Sequence, residues 1–302
     1  MPCRHIPLVP VFILGLYACA PMRQPTSTST FTPPPLPAAT NTAASTPTDV
    51  PTPGPLSCLV EPGAVLSDAL PNTKPPQQFR IYLPPCYDQK TDERYPVLYL
   101  LHGQTYTDDQ WVTLGAPTAA DNLIHAGAAS PFIIVFPDDR YWNLPPGDGF
   151  GDRLVHDIIP YIDQNYRTLK DRDHRALGGL SRGGGWAAHA LLTRYDLFGE
   201  IGLHSPVIMN NDAAVLQRLV AAVPSKAWPR LWLDAGDHDG DLGKIQMFEA
   251  MLTTYGAPHE WHLNSGDHTD RYWHAHVAQY LQWYAEGFGA PILPAEDPVA
   301  TP

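Results

Sequence analysis

Seven short apolar runs, separated by longer segments, most constrain what this chain can fold into. They span residues 79–83, 95–101, 131–137, 176–180, 200–204, 231–234 and 260–263. Each run is continuously apolar rather than alternating, which is typical of strands buried on both faces of a sheet. The segments between them include helix-like stretches, and Pro160 in residues 152–166 predicts a kink or restart there. The pattern predicts an α/β domain with a mostly parallel central sheet and helices on both faces.

The N-terminus predicts export. Arg4 is the only charged residue among the first 19, and residues 6–18 are an apolar run too short for a membrane span of about 20 residues. The run ends in the sequence LYAC, which resembles a bacterial lipobox with Cys19 as the lipidated residue. We expect residues 1–19 to be a signal peptide, and the protein to be anchored by a lipid to the outer face of the cell membrane, or secreted after simple cleavage.

Composition sets the borders of the folded domain. Residues 20–57 contain ten Pro, nine Thr and four Ser, so they bury too little apolar surface to offset their conformational entropy. They predict an extended tether, and residues 290–302 predict a disordered tail. The 44 % of hydrophobic residues in the whole chain is enough for a sizeable core. One domain is therefore expected over residues 58–289.

The charge balance limits the partners. The chain has 19 Lys and Arg against 31 Asp and Glu, a formal charge of −12, and it has no basic run. Binding to nucleic acid or to an anionic membrane surface needs clustered positive charge. We therefore expect no nucleic-acid partner and membrane attachment only through the lipid anchor.

Two of the four cysteines predict a disulfide. Cys3 lies in the signal and Cys19 at the lipidation position, which leaves Cys58 and Cys86 as an even pair in an exported chain. Two buried thiols are the alternative. No cluster of His and Cys around either residue favours a zinc site.

The sequence Gly-Leu-Ser-Arg-Gly at residues 179–183 predicts a nucleophile elbow. It follows an apolar run and precedes helix-like residues 186–198, which is the strand, tight turn and helix that the motif requires. Its glycines allow the turn to pack tightly against the sheet and the helix. Ser181 is therefore the predicted nucleophile.

A serine nucleophile needs a base and an acid that orients the base. His268 follows the last predicted strand, and Asp237, Asp239 and Asp241 follow the strand before it. The order serine, acid, histidine is that of α/β-hydrolases. The residues alone leave the three aspartates open, although Asp241 precedes a helix-like segment and is expected to cap it.

Two backbone N–H groups are expected to form an oxyanion hole. One is that of Arg182, after the nucleophile, and the other is that of Gln104, in the loop after residues 95–101. Gly103 would let the backbone approach the substrate, and His102 is expected to brace this loop.

A metal site is not expected. A calcium loop that began at Asp237 would place Phe248 where a glutamate is needed. His274 and His276, two apart on a predicted helix, point to different faces and are poorly placed to bind a metal with His268. The chemistry above also requires no cofactor.

Three segments resemble the esterase family of α/β-hydrolases. They are residues 95–103 (YPVLYLLHG), residues 175–184 (RALGGLSRGG) and residues 266–268 (GDH), followed by Trp273. The resemblance covers residues 79–284. The family includes S-formylglutathione hydrolase, feruloyl and acetylxylan esterases, enterochelin esterases and mycolyltransferases.

The resemblance implies an α/β-hydrolase fold and further site residues. In the family the acid is the last residue of the motif Gly-x-x-Asp, which here selects Asp239. Trp111 matches a family position that forms a pocket wall or anchors a loop. Tyr141 and Trp142, after the run at residues 131–137, could line a cleft for a ring or simply pack against the domain.

The resulting hypothesis is an exported serine esterase. Export and the resemblance imply acyl or feruloyl esters of carbohydrate, or a siderophore ester, as its small-molecule or carbohydrate substrate. One alternative is an acyltransferase of the mycolyltransferase type, in which an acceptor hydroxyl replaces water. The other is a non-catalytic binding module that retains the fold, because a fold alone does not establish a function.

Overall fold

A computed structural model describes residues 57–139 and 149–289 of the chain. The predicted signal with Cys19, the tether up to residue 56 and the tail at residues 290–302 lie outside the described residues. Tyr141 and Trp142 do so as well. No helix among the described residues has the length and apolar character needed to cross a membrane.

The described residues form an eight-stranded sheet with the strand order β1-β2-β4-β3-β5-β6-β7-β8. The strands are β1 (Ala64–Leu70), β2 (Gln77–Leu83), β3 (Val97–Leu101), β4 (Ile133–Pro137), β5 (Arg175–Leu180), β6 (Glu200–His204), β7 (Arg230–Gly236) and β8 (Glu260–Asn264). β2 is antiparallel to both β1 and β4, and the other neighbouring pairs are parallel. The predicted mostly parallel sheet is therefore confirmed.

Helices alternate with the parallel strands along the described parts of the chain. They are α1 (Gln110–Thr113), α2 (Ala116–His125), α3 (Phe150–Arg153), α4 (Ile159–Asn165), α5 (Arg182–Thr193), α6 (Asn210–Ala213), α7 (Leu216–Ala222), α8 (Leu242–Thr254) and α9 (Asp270–Gly287). Short 3₁₀ helices lie at Ser57–Val60 and Arg172–His174. A π-helical turn at Leu154–Ile158 joins α3 to α4 directly ahead of Pro160, so the predicted irregularity takes the form of a widened turn within one longer helix.

Hydrophobic side chains cover both faces of the sheet. In β3, Val97, Tyr99 and Leu101 belong to the core under α4, α5, α7 and α8, whereas Leu98 and Leu100 belong to the core under α2 and α9. Because successive strand residues point to opposite faces, a strand covered on both sides must be apolar at every position. This is why β3 is visible in the sequence as a continuous run.

β1 has no counterpart among the predicted strands. It lies at one edge of the sheet, and most of its residues are exposed. An edge strand that buries little has no continuous apolar run, so its pairing with β2 is decided by the fold rather than by a local pattern.

The predicted disulfide between Cys58 and Cys86 is present. It links the 3₁₀ helix at Ser57–Val60 to the turn that follows β2, and the two Cα atoms are 5.1 Å apart. The bond therefore attaches the beginning of the described domain to the sheet.

Candidate active site

Ser181 lies in the tight turn between β5 and α5. Its backbone has φ 53° and ψ −115°, a conformation that an L-residue rarely adopts. A Cβ on Gly179 would lie 2.3 Å from the backbone of Gly183, and a Cβ on Gly183 would lie 2.2 Å from the carbonyl oxygen of Leu101. These contacts explain why the motif needs glycine on both sides of the serine. The Ser181 N–H donates to the carbonyl of His204 at 2.9 Å, which fixes the turn to β6.

Ser181, His268 and Asp239 form a continuous hydrogen-bonded series. His268 Nε2 is 2.7 Å from Ser181 Oγ, and His268 Nδ1 is 2.8 Å from Asp239 Oδ2. The carboxylate can only accept, so Nδ1 carries a proton and Nε2 is left to accept the serine hydroxyl proton. The three side chains predicted from separate parts of the sequence are thus brought together.

The sheet explains why these residues meet. Ser181 follows β5, Asp239 follows β7 and His268 follows β8, and these strands all run parallel. The carboxyl ends of parallel strands lie at one edge, where open α/β sheets place their binding sites. Residues 29 and 87 positions from His268 are therefore brought within hydrogen-bond distance of it.

Asp239 is suited to orient a histidine. Its side chain is fully buried, and its second oxygen accepts the backbone N–H of Asp241 at 2.8 Å. Burial acts to raise the pKa of Asp239, but the hydrogen bonds from His268 and from the Asp241 N–H outweigh it and hold the pKa below its ordinary value. The carboxyl group is therefore kept ionised beside the imidazole.

The two neighbouring aspartates have other contacts. Asp237 accepts the N–H of Gly266 at 2.9 Å and so ties the loop after β7 to the loop after β8. Asp241 occupies the N-cap position of α8, but its side chain makes no capping hydrogen bond and instead pairs with Lys244 at 2.7 Å. The expected capping role of Asp241 is wrong, because its carboxylate lies against Lys244 in the first turn of α8 and not against the N–H groups of that turn.

The loop after β3 lies directly against the nucleophile. A Cβ on Gly103 would lie 3.8 Å from Ser181 Cβ. The Gly103 N–H is occupied, since it donates to Gln110 Oε1 at 2.8 Å, whereas Gln104 is exposed and makes no backbone N–H hydrogen bond to any described residue. Arg182 is the first residue of α5, so its N–H lies at the positive end of the helix dipole. Gln104 and Arg182 thus flank Ser181.

His102 holds this loop from the inside of the protein. Its Nδ1 donates to the carbonyl of Gly103 at 2.7 Å, and its Nε2 accepts the backbone N–H of Asp139 at 2.9 Å. The Asp139 carboxylate in turn pairs with Arg182 Nε at 3.0 Å and accepts from Trp186 Nε1 at 3.0 Å. His102 thus has the bracing contacts expected for it.

A cavity of about 480 Å³ opens beside the triad. Its lining includes Ser181, His268, Tyr106 and Trp273, and the Trp273 ring lies edge-on to the His268 ring with centroids 5.0 Å apart. Two aromatic rings and the loop after β3 therefore line the space in front of the serine.

Trp111 does not line this cavity, so its assignment as a substrate-binding residue is corrected. The side chain is 1 % exposed, its indole N–H donates to the carbonyl of Leu101 at 2.9 Å, and its ring packs edge-on against His204 and Tyr280. Burial of a large ring under the end of β3 makes it the loop anchor, which was the other role that the family pattern allowed.

Sequence reasoning missed two residues of the site. Gln110 and Asp270 are hydrogen-bonded to each other and both line the cavity. Neither belongs to a motif or to an apolar pattern, so the sequence carried no signal for them. Within residues 57–139 and 149–289, no group of three His, Cys, Asp or Glu side chains is arranged to hold a metal ion.

The chain is similar to known esterases over most of this domain. A family model described as "Putative esterase" matches residues 71–284, which is more than half of the chain. An endo-1,4-beta-xylanase/feruloyl esterase from Xylanibacter ruminicola is 36 % identical over 43 % of this chain and 19 % of that protein. An esterase from Mycobacterium tuberculosis is 27 % identical over 61 % of this chain and 51 % of that protein. The chain thus spans about half the length, or less, of these curated relatives.

Solved structures share the fold. A ferulic acid esterase superposes with a TM-score of 0.67 at 27 % identity, over 75 % of this chain and 100 % of that chain. An S-formylglutathione hydrolase from Staphylococcus aureus has a TM-score of 0.64 at 19 % identity, over 74 % and 96 % of the two chains, and so shows the fold alone. The chain therefore belongs to the esterase family, and residues 71–284 form a carboxylic ester hydrolase domain with the α/β-hydrolase fold.

Proposed function

We propose that this protein is an exported serine esterase that hydrolyses feruloyl or other acyl esters of carbohydrate through Ser181, His268 and Asp239. The observation that carries the proposal is the pair of hydrogen bonds, 2.7 Å from Ser181 Oγ to His268 Nε2 and 2.8 Å from His268 Nδ1 to Asp239 Oδ2. A weak nucleophile, a base and an orienting carboxylate are here in the contact that general-base catalysis needs.

The reaction proceeds in two halves. In the first, His268 Nε2 takes the Ser181 hydroxyl proton as Oγ forms a bond to the ester carbonyl carbon, and the resulting imidazolium then protonates the leaving alcohol as its C–O bond breaks. In the second, His268 takes a proton from water, the water oxygen attacks the acyl-enzyme, and the Ser181 oxygen leaves with that proton. Asp239 holds the ring orientation and stabilises the imidazolium in both halves.

The oxyanion that forms in each half needs donors that are already in place. The N–H groups of Gln104 and Arg182 are the proposed pair, and the N-terminus of α5 adds the favourable potential of its helix dipole. The contacts of His102, Asp139 and Arg182 join the two segments that carry these donors. They favour a hole whose geometry is fixed before the substrate arrives.

The substrate class rests on the relatives and on the cavity. A xylanase/feruloyl esterase and a ferulic acid esterase are among the similar proteins, and both names specify feruloyl esters as substrates of those proteins. Tyr106 and Trp273 give the cavity aromatic walls against which a phenolic ring can pack. No cofactor enters the proposed reaction.

The proposed location follows from the N-terminal sequence. The apolar segment before Cys19 favours export and lipidation, and residues 20–57 would act as a tether between the lipid and the domain. The disulfide between Cys58 and Cys86 is compatible with an oxidising compartment. The anchor is tested by metabolic labelling with radioactive palmitate, which should label the wild type and not a Cys19→Ala variant.

The test of the reaction is hydrolysis of methyl ferulate and of a feruloylated xylo-oligosaccharide by the full chain and by Ser181→Ala. Loss of about a thousandfold or more in kcat is expected, as for removal of a triad member. Ser67→Ala, an exposed serine on the edge strand β1, serves as the matched control, and thermal unfolding of each variant checks its folding. Equal turnover by wild type and Ser181→Ala would refute the nucleophile, and turnover of simple alkyl esters but of neither feruloylated nor acetylated xylo-oligosaccharides would refute the substrate class.

A further inference from the structure

One half-buried carboxylate joins the loop that carries Gln104 to the loop that carries His268. Asp270, the first residue of α9, lies two positions after His268. Its Oδ1 accepts Gln110 Nε2 at 2.8 Å, and its Oδ2 accepts the hydroxyl of Tyr106. Both donors belong to the segment that begins at Gly103, so one side chain contacts that segment at two points.

These contacts determine how the Gln110 amide is oriented. A carboxylate only accepts, so the NH₂ group of Gln110 must face Asp270 and its carbonyl oxygen must face the other way. That oxygen accepts the Gly103 N–H at 2.8 Å. Asp270 therefore orients the Gln110 amide, and this amide in turn holds the backbone of the loop after β3 at Gly103.

Burial makes this orientation costly to change. Gln110 is 2 % exposed, so water cannot replace a partner that turns away. A flipped amide would present its NH₂ group to the Gly103 N–H and its oxygen to the Asp270 carboxylate. A donor would then face a donor, and an acceptor would face an acceptor. The Gly103 carbonyl, which shares a peptide plane with the Gln104 N–H, accepts from His102 Nδ1 and from the Tyr106 N–H. Because that peptide is trans, the Gln104 N–H points away from those two donors.

We propose that Gln110 and Asp270 are positioning residues that fix the Gln104 N–H relative to His268, so that the oxyanion hole and the general base are aligned by one shared hydrogen-bonded series. This inference rests on the proposed function of Ser181 and His268. In this proposal neither Gln110 nor Asp270 exchanges a proton with the substrate. Tyr106 supplies the second attachment of the same loop to Asp270.

Exchanging the two functional groups provides a specific test. In Gln110→Glu, two carboxylates face each other. The kcat for methyl ferulate is expected to fall about 10- to 100-fold, because a misplaced oxyanion donor costs transition-state stabilisation. The KM is expected to change less than threefold. In the double variant Gln110→Glu/Asp270→Asn, the new carboxylate accepts from both Gly103 and Asn Nδ2, and Asn Oδ1 accepts from Tyr106. All three hydrogen bonds are restored, and only the bond between positions 110 and 270 reverses its direction, so kcat should return to within about threefold of wild type.

A matched control exists on α9. Gln282 Nε2 donates to Glu286 Oε1 at 3.0 Å on the exposed surface of that helix, and the exchange Gln282→Glu/Glu286→Gln makes the same kind of charge change away from the cavity. That variant and its single changes should leave kcat unchanged. Thermal unfolding of all variants separates loss of folding from loss of alignment. If Gln110→Glu does not fold, the hydrogen-exchange measurement on Asp270→Ala decides the question.

A second measurement does not need turnover. Asp270→Ala removes the partner that orients the Gln110 amide, which weakens the hydrogen bond between Gly103 and Gln110, so hydrogen exchange of the Gly103 amide should become about tenfold faster or more. An unchanged exchange rate, or a double variant no more active than Gln110→Glu, would overturn the inference. A wild-type protein without esterase activity would instead refute the proposed function and leave the exchange result to judge the alignment.

Discussion

Glu200 makes the stability of this protein depend on pH in an unusual direction. The residue is 3 % exposed, and its Oε2 accepts Arg230 Nη1 at 3.2 Å. Burial raises the pKa of Glu200 to about 8; the charge and hydrogen bond of Arg230 act against this, and the charges of Glu286 and Glu260 add to it. At neutral pH the folded protein therefore holds a proton on this carboxyl group that the unfolded chain has released.

The sign follows from linkage. Between the ordinary glutamate value of 4.5 and the folded value of about 8, the folded state binds more protons than the unfolded state. The free energy of unfolding therefore falls as pH rises through this window, at up to about 1.4 kcal/mol per pH unit, and the loss reaches on the order of 4 kcal/mol near pH 8. Above that pH the carboxyl is ionised in both states and adds no further slope.

The perturbation is Glu200→Gln, which keeps the side chain's size where it packs against Gly287 but cannot ionise. Urea unfolding of the wild type and the variant at pH 5, 6, 7 and 8 gives the difference in unfolding free energy at each pH. We expect the free energy of unfolding of the variant, relative to that of the wild type, to rise steadily from pH 5 to pH 8. His102 and His189, whose pKa values are also raised, titrate in both proteins, so their contributions cancel in the difference. A difference that stays constant from pH 5 to 8 would refute the argument.

Two further predictions concern the disulfide and the choice of acid. The bond from Cys58 to Cys86 spans a sequence separation of 28; its replacement by two serines should lower the free energy of unfolding by about 3–4 kcal/mol and Tm by roughly 7–14 °C in calorimetry, with kcat at 25 °C unchanged. An unaltered Tm would show that the bond does not constrain the unfolded chain. Asp239→Asn should reduce kcat about 10³- to 10⁴-fold because the amide favours the wrong imidazole tautomer, whereas Asp241→Asn, in the same loop but paired only at the surface, should stay within about threefold of wild type. Equal effects of the two substitutions would leave the acid unassigned.

Local patterns were sufficient wherever burial is complete. The strands β3 to β7, whose residues are almost all buried, coincide with predicted apolar runs because a strand covered on both faces is largely apolar. The glycines near Ser181 marked a turn whose backbone admits no Cβ. β1 left no such trace because most of its residues are exposed, whereas β8, the other edge strand, buries more of its side chains and coincides with the predicted run at residues 260–263. The role of Trp111 was likewise undetermined: an indole after a polar loop is equally compatible with a cavity wall and with the buried anchor that it forms.

The sequence by itself determined the class of sheet, the position of the elbow and the order of serine, aspartate and histidine, because each depends on residues near in sequence or on composition. Only the tertiary structure decided which aspartate faces His268, and that Asp270 reaches Gln110 across 160 positions of chain. These contacts arise where loops from separate strands converge at one edge of the sheet. Their distances depend on the relative placement of whole elements, on which a local pattern carries no information.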